Sequence, residues 1–407
     1  MIASIGKEKI PADFEEGRVS VIIPAYNAAE FLPLTLQNAL THDYPDIEVI
    51  VVDDGSTDNT YEAIKSFCSQ IIYVRQDNLG PAAARNHGLS LSRGEFIQFL
   101  DADDLLAPSK LSVQVNYLRN HPQCLMVIGD SLLFSRLDRR GRPKIVENWH
   151  PPNSQVHVHL FHFNVGAPHA YLFRRQMFHQ ICVFDPAVRC VEDWDLYVRA
   201  VGQGVYPSYL PNTHVYYRKH PGAASSNLEK MTQQDVIVHR RINEILQGDN
   251  GIQPLDRIGC SLAFTSASLI TTIRHEEFGL KGDHGLVKMA ADCLDNMLEN
   301  AHHWPVLEDE AGTFYWAETS VWLGHPLLRQ SKDTRRIGNC LVQIAEMSGF
   351  KSSSARSLLG HAARLSRSRN KVLRALNLLI HIKDGGRLHR RVWRTGARML
   401  KRELQGR

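Results

Sequence analysis

The chain has 407 residues, 43% of them hydrophobic, and a formal net charge of +4, which is enough apolar material to fill a core in each of two domains. Seven scattered cysteines form no C-x-x-C pair and no zinc spacing, which argues against a disulfide framework or a zinc module and points to a reducing compartment. Residues 351–407 hold 16 Lys or Arg against Asp384 and Glu403, so the tail is basic while residues 1–350 carry a balance of −10.

The opening stretch, MIASIGKEKIPADFEEGR, has charges every few residues where a secretion signal needs an apolar core. From residue 19, short β-branched runs alternate with segments of helical period. VSVIIP (19–24), IEVIVVDD (47–54), IIYVRQ (71–76), EFIQFLD (95–101) and CLMVIG (124–129) predict strands. Between them EFLPLTLQNALT (30–41), NTYEAIKSFC (59–68), GPAAARNHGLSL (80–91) and SKLSVQVNYLRN (109–120) predict helices. This alternation predicts an α/β fold, a doubly wound and mostly parallel sheet with helices on both faces. In such sheets ligands sit outside the carboxyl ends of the strands, so residues 24–27, 53–56 and 101–104 are expected to converge on one rim.

Residues 150–220 break the alternation with His- and aromatic-rich stretches such as HVHLFHFN (157–164), then a helix-like VEDWDLYVRAVGQG and a strand-like THVYYRKH. A second half facing another substrate belongs here. Beyond residue 228 the pattern is helical, with GDNGIQPLD (248–256) as a boundary. The longest uncharged run, 258–273, has 16 residues including six Ser or Thr, too short and too polar for a spanning helix.

Two acidic clusters carry the chemistry. In EFIQFLDADDLL (95–106) an apolar strand ends in Asp101, Asp103 and Asp104. One aspartate is explained as a cap for the helix after Pro108-Ser109; three are not. The alternate pair Asp101 and Asp103 can face one hard cation, Mg²⁺ or Mn²⁺, beside a phosphate. In VVDDGSTDNTYEA (51–63), Ser56, Thr57 or Asp58 starts a helix and Gly55 makes the turn, while Asp53 and Asp54 stand at the rim where a base or ribose lies. Neither a G-x-G-x-x-G after the first strand nor a P-loop is present, which disfavours a dinucleotide fold or a P-loop enzyme. His157, His159 and His162 have no companion cysteines or H-E-x-x-H pattern to make a metal site of them.

VSVIIPAYNAAEFLPLTLQNAL, VIVVDDGSTDNT, NLGPAAARNHGL, GEFIQFLDADD and VEDWDLYVRA occur in an order and spacing that resemble the family 2 glycosyltransferases over residues 18–225. The resemblance implies a GT-A fold, Rossmann-like, followed here by an α-helical C-terminal domain. It implies transfer of a sugar from a nucleotide diphosphate donor, with uridine as the default base, to a hydroxyl acceptor with inversion. By the match to the D-x-D motif, Asp103 is the direct ligand of Mn²⁺ or Mg²⁺, Asp101 supports ribose or metal, and Asp104 stands behind them or caps. Pro24, Tyr26 and Asn27 resemble the segment lining the base, Asp54 the carboxylate accepting from a uracil-type N–H, and Arg85 a position near the nucleotide; Gly80 lets the backbone approach the ligand. Asp53 serves the ribose or the fold. Without the family, Arg85 reads as a solvated helix residue.

The family's base lies in an E-D pair before an aromatic, here Glu192-Asp193-Trp194, with Asp193 as the base, Glu192 beside it, and Asp195 read as a charge on the exposed start of a helix. YYRKHPGAASS (216–226) resembles the loop covering the diphosphate, with Arg218 on phosphate and His220 on phosphate or completing the metal site; an ordinary basic turn is the alternative.

The expected domains are an extension at 1–17, the transferase domain at 18–227, a helical domain at 228–350 and a basic helical tail at 351–407. The tail either lies on an anionic bilayer, reaching a glycan or lipid-linked acceptor, or packs on the helical domain with its Arg face solvated. The cytoplasm, with peripheral contact at the inner face of the membrane, is the expected location, and no nucleic-acid partner is expected because no recognition module appears. Two rivals remain: an aspartyl phosphatase of haloacid dehalogenase type, which would use the first Asp of D-x-D as nucleophile but leaves VDDGSTDNT unexplained, and a non-catalytic sugar-nucleotide binder. Nucleotidyltransferases share a similar sheet, but their Gly-rich opening loop is replaced here by IIPAYN.

Overall fold

Val19, Val21, Ile22 and Ile23 are 0% exposed, as a strand covered by helices on both faces must be. They form the centre of β1 (Glu15–Ala25) in a computed structural model that describes residues 10–151, 155–181, 183–223, 227–248, 251–252, 254–280, 285–300, 319 and 332–347. The chain then runs α1 (Leu32–Leu40), β2 (Ile47–Asp53), α2 (Thr60–Ile64), β3 (Ile72–Arg75), α3 (Pro81–Leu91) and β4 (Gly94–Phe99). Strand β1 lies between β2 and β4, parallel to both, with Ile22 opposite Ile50 on one side and Phe99 on the other. Three carboxyl ends therefore emerge side by side.

After β4 come β5 (Leu105–Leu106), α4 (Lys110–Asn120), β6 (Met126–Leu137), β7 (Pro143–Trp149), α5 (Val156–His159), β8 (Tyr171–Arg174), α6 (Gln176–Gln180), α7 (Glu192–Val201) and β9 (Ser208–Arg218). The sheet order is β3-β2-β1-β4-β8-β6-β9-β5, with β7 on β6. From β3 to β4 all pairs are parallel, as alternation predicts. Beyond β4 the sheet is mixed: β8 is antiparallel to β4 and β6, and β9 is parallel to β6. The break lies at β8, which inserts antiparallel between β4 and β6; next to it Asp138 accepts the N–H groups of Arg140 (2.8 Å) and Arg142 (2.9 Å) and closes a tight β6–β7 hairpin. The aspartates 101–104 lead into β5 rather than a helix, and α4 starts only after Ser109, so none of the three is a helix cap.

The chain divides into two compact units, Met1–Leu160 with Asn164–Gln234, and Phe161–Phe163 with Asp235–Arg407. The division falls inside the helix Leu228–Gln247, and the stretch 248–256 joins that helix to the helix Pro254–Glu277 within the second unit. The uncharged run 258–273 lies in the latter helix, where two of its hydroxyls bond to the helix's own backbone: Thr265 Oγ1 donates to the Ser261 carbonyl (2.7 Å) and Thr272 Oγ1 to that of Ser268 (2.8 Å). Arg336 of the helix Lys332–Met347 forks onto Asp292 (2.7 Å) and Asp295 (2.5 Å) of the helix Gly285–Asn300. No described helix is long and apolar enough to cross a membrane. The basic tail 351–407 lies outside the described residues. The six described cysteines are free.

Candidate active site

The first two motifs form one structure. Asn27 takes a left-handed conformation (φ 49°), and its Oδ1 accepts the N–H groups of Thr57 (2.8 Å) and Asp58 (3.3 Å) while its own N–H donates to Ser56 Oγ (2.9 Å). The Ala28 N–H donates to Thr60 Oγ1 (2.9 Å). IIPAYNAA and DDGSTDNT are thus laced together at the ends of β1 and β2. Pro24 is half-buried beneath, and Tyr26 stands 51% exposed above, an aromatic face open to a planar partner.

Asp53 serves the fold, one of the two roles left open by the sequence. Its Oδ1 accepts the Ser56 N–H (2.7 Å) and its Oδ2 the Tyr73 hydroxyl (2.8 Å). Asp54 accepts three donors, Gln76 Nε2 (2.8 Å) and the Leu79 N–H (2.9 Å) on Oδ1 and the Gly80 N–H (2.8 Å) on Oδ2. It is 4% exposed and fixes loop 76–80, whose last residue turns into α3 at φ 93°. A β-carbon at Gly80 would meet no atom within 4 Å, so backbone conformation is what requires glycine there.

The third cluster divides its aspartates among different partners. Asp103, 26% exposed at its side chain, faces His220 with Oδ2 to Nε2 at 2.8 Å. A carboxylate and an imidazole, both reachable by solvent, are a donor set that Mn²⁺ or Mg²⁺ accepts, so the residues fit a divalent cation. Asp101 gives Oδ1 to Arg85 Nη2 at 2.7 Å. Burial opposes ionisation of Asp101, but the Arg85 guanidinium and the His169 ring outweigh it and hold the carboxyl well below the usual range.

Asp104 is 0% exposed; its Oδ1 accepts the Arg218 N–H (2.6 Å) and its Oδ2 lies 3.2 Å from His169 Nδ1. Burial first, then Asp103 and Asp101, push its carboxyl well up. Among the described residues, Asp101, Asp104 and His169 are the one group of three or more ligand-type side chains whose donor atoms come within 4.8 Å of one another. The three spaced histidines 157, 159 and 162 form no such group, and His157 stacks on Tyr206 at 4.4 Å instead.

Arg218, expected on the diphosphate, is a buried residue of β9. Its guanidinium carbon lies 4.8 Å from the Phe31 ring and 4.5 Å from the Phe134 ring, and Nε donates to the Asp103 carbonyl at 2.7 Å. With two rings against its guanidinium and its Nε on the Asp103 carbonyl, the residue ties β9 to the Asp103-Asp104 turn and is 6% exposed.

Arg85 joins this rim to residues 107 positions away. Its Nη1 donates to Glu192 Oε1 at 2.5 Å while Nη2 holds Asp101, and its carbon lies 5.4 Å from the Phe184 ring centroid. At 4% exposure it is the opposite of a solvated helix residue. Burial opposes its charge, but Asp101 and Glu192 keep it firmly protonated.

Beside Glu192, Asp193 accepts the Trp194 N–H on Oδ1 (2.7 Å) and Asn164 Nδ2 on Oδ2 (2.8 Å). Burial and then the Glu192 charge push its carboxyl up to about 7, against the pull of Asn164 and Arg85. Tyr171 and Tyr197 stack at 4.2 Å close by, both 0% exposed and both raised by burial and then by Asp193. The expectation of an exposed charge at Asp195 is corrected as well: every residue of α7 is buried, and Asp195 pairs with Arg199 at 2.7 Å one turn on.

Sequence reasoning missed Asn164, His169, Tyr171 and Tyr197. Asn164 precedes Gly166, whose N–H donates to Asn164 Oδ1 at 3.2 Å; that short turn was legible in N-V-G, but not what the other end of the amide would meet.

A parallel α/β half-sheet ending in an acid-lined rim, with an E-D pair bridged to it by a buried arginine, defines a domain of the GT-A type. Residues 20–182 match the family described as glycosyl transferase family 2, and this domain belongs to that family. The phosphatase reading falls with that match. An uncharacterized glycosyltransferase of Rickettsia felis is 30% identical over 205 residues, 48% of this chain and 33% of that protein. Another, from Haemophilus influenzae, is 42% identical over 108 residues, 25% of this chain and 43% of that protein. The chain thus spans less than half the length of these relatives. The Escherichia coli protein UDP-Glc:alpha-D-GlcNAc-diphosphoundecaprenol beta-1,3-glucosyltransferase WfaP is 28% identical over 226 residues, 54% of this chain and 85% of WfaP. Among solved structures, S. aureus TarS 1-349 in complex with UDP-GlcNAc shares the fold, with a TM-score of 0.51 at 17% identity over 81% of this chain and 92% of that one.

Proposed function

We propose that this chain transfers a sugar from a uridine diphosphate donor to a hydroxyl acceptor, inverting the anomeric centre. The observation that carries the reading is the Arg85 fork: one guanidinium binds Asp101 at 2.7 Å and Glu192 at 2.5 Å, which holds the Glu192-Asp193 pair opposite the acidic rim. In this reading Tyr26 and Pro24 line the base, and Asn27 with Asp54 shape the loops that enclose the nucleotide. Asp103 and His220 would hold Mn²⁺ or Mg²⁺, which when bound supplies positive charge to the departing diphosphate. Asp193, with its carboxyl at about 7, is poised to take the proton of the acceptor hydroxyl. As that oxygen bonds the anomeric carbon, the bond to the diphosphate oxygen breaks and the diphosphate leaves with the electron pair. Glu192 neutralises Arg85 and sets the field at Asp193.

The likeness to WfaP, named for a UDP-glucose donor and a diphosphoundecaprenol-linked acceptor, supports a uridine donor and a lipid-linked acceptor. Such an acceptor would give the 16 basic residues of 351–407 an anionic bilayer to meet, each cation contributing about 1 kcal/mol near the surface. The test is a thermal-shift panel of nucleotide sugars with and without Mn²⁺. A uridine diphosphate sugar with Mn²⁺ should raise the melting temperature of the parent and not of Asp103→Ala, since a ligand of the folded state stabilises it by mass action. Silence of the parent toward every donor would sink the proposal.

A further inference from the structure

Asn164 stands before β8 with both ends of its side-chain amide engaged. The Gly166 N–H donates to Oδ1 at 3.2 Å, which leaves the NH₂ end facing Asp193 Oδ2 at 2.8 Å. The orientation is dictated: a flipped amide would set its oxygen against a carboxylate and its NH₂ against a backbone N–H, losing both bonds. The other Asp193 oxygen accepts the Trp194 N–H at 2.7 Å, and Trp194 is itself anchored by its indole N–H on the Leu160 carbonyl at 2.6 Å. One donor therefore fixes each oxygen. Each oxygen keeps a further lone pair, so the carboxylate can still accept a proton from a third group.

We infer that Asn164 is the positioning residue for Asp193, holding its carboxylate in the orientation in which an acceptor hydroxyl can deliver a proton, an inference that rests on Asp193 being the base. The choice of side chain follows. Burial already disfavours the Asp193 charge, and Glu192 on the same helix disfavours it further. Against them stand the Asn164 bond and Arg85 from α3, while the buried Tyr171 of β8 and Tyr197 of α7 keep their phenolic protons. Aspartate at position 164 would add a third carboxylate to this side; alanine would remove the one side-chain donor that favours the ionised form.

The experiment uses the full chain with UDP-glucose and Mn²⁺, water serving as acceptor and UDP release as the readout, beside a turnover-free measurement: melting temperature against pH, with the same curve for Asp193→Asn subtracted. In Asn164→Ala, kcat should fall roughly tenfold to a hundredfold and the acid limb of its pH profile should move up by about one unit, the worth of one hydrogen bond to a charged group. The subtracted melting curve should move up by the same interval, while UDP affinity is unchanged. Asn164→Ser, which keeps a donor, should fall between Ala and the parent. Adding Asn164→Ala to Asp193→Asn should cost nothing further, because the amide acts through the carboxylate.

An acid limb and a subtracted melting curve that both stay in place in Asn164→Ala and Asn164→Ser would overturn the inference, as would an equal loss in the Asp193→Asn background. Asp193→Asn turning over at the parental rate would instead remove the base reading itself, so the two failures are distinguishable.

Discussion

Two pairs of carboxylates around this site are made of the same residue type and are held differently. Asp53 and Asp54 at the end of β2 accept five donors between them, three of them backbone N–H groups, and these bonds build the loops around them. Asp104 and Asp193 are buried too and receive three between them: the Arg218 N–H on Asp104, whose Oδ2 has no hydrogen-bond partner, and one donor on each oxygen of Asp193. Burial pushes both of these upward. Asp54, held by three donors of which two are backbone N–H groups, has become part of the fold, whereas a buried acid pushed upward keeps a free energy that chemistry can use.

The sharpest way to break the comparison is Asp193→Asn. Loss of a general base should cost roughly a hundredfold to ten-thousandfold in kcat with donor affinity retained. The same variant should melt higher than the parent above pH 7. The parent's carboxyl is raised to about 7 when folded, so its favourable contribution is full below the ordinary carboxylate range and lost as pH rises through about 7. The gap between the melting curves should close toward about pH 4. By the same sign, the parent's kcat should fall as pH drops below about 7, about tenfold per unit at the limit.

Arg85→Ala comes next: it strands Asp101 and Glu192 without their shared cation, so about 3–5 kcal/mol of stability should be lost by denaturant titration, with transfer abolished. A variant of unchanged stability would mean that water, not the fork, balances those acids. Asp54→Ala should behave as a fold mutation. Removing the acceptor of two backbone N–H groups costs about 1–3 kcal/mol, and kcat at saturating donor should hold in the fraction that stays folded. A loss of kcat exceeding the loss of stability would move Asp54 to the chemical side of the comparison. The smallest effect belongs to Gly80→Ala, where φ 93° with ψ 166° penalises any side chain by about 1–3 kcal/mol although space is open, read as a lowered melting temperature.

The contrast also marks how far the sequence reached. Strand ends at residues 25, 53 and 99 were legible from short apolar runs and their turn residues, and with them the convergence of the first three motifs, because parallel neighbours share an end. Arg85 was visible only by resemblance; helical period alone assigned it to solvent. Asp195 was misread because acids at a helix start read as exposed, whereas every residue of this helix is buried and Asp195 pairs with Arg199 one turn on.

What the amino-acid order determined by itself was local: alternation set the parallel half-sheet, and Asn27, Gly55 and Gly80 set the turns through backbone conformations few other residues adopt. What only the tertiary structure decided was which charges meet. The Arg85 fork spans 107 positions, and the Asn164 amide reaches Asp193 across 29. Hydrogen bonds act over about 3 Å in space and are blind to separation along the chain, so the pairing that tunes Asp193 exists only once the sheet has brought those segments together.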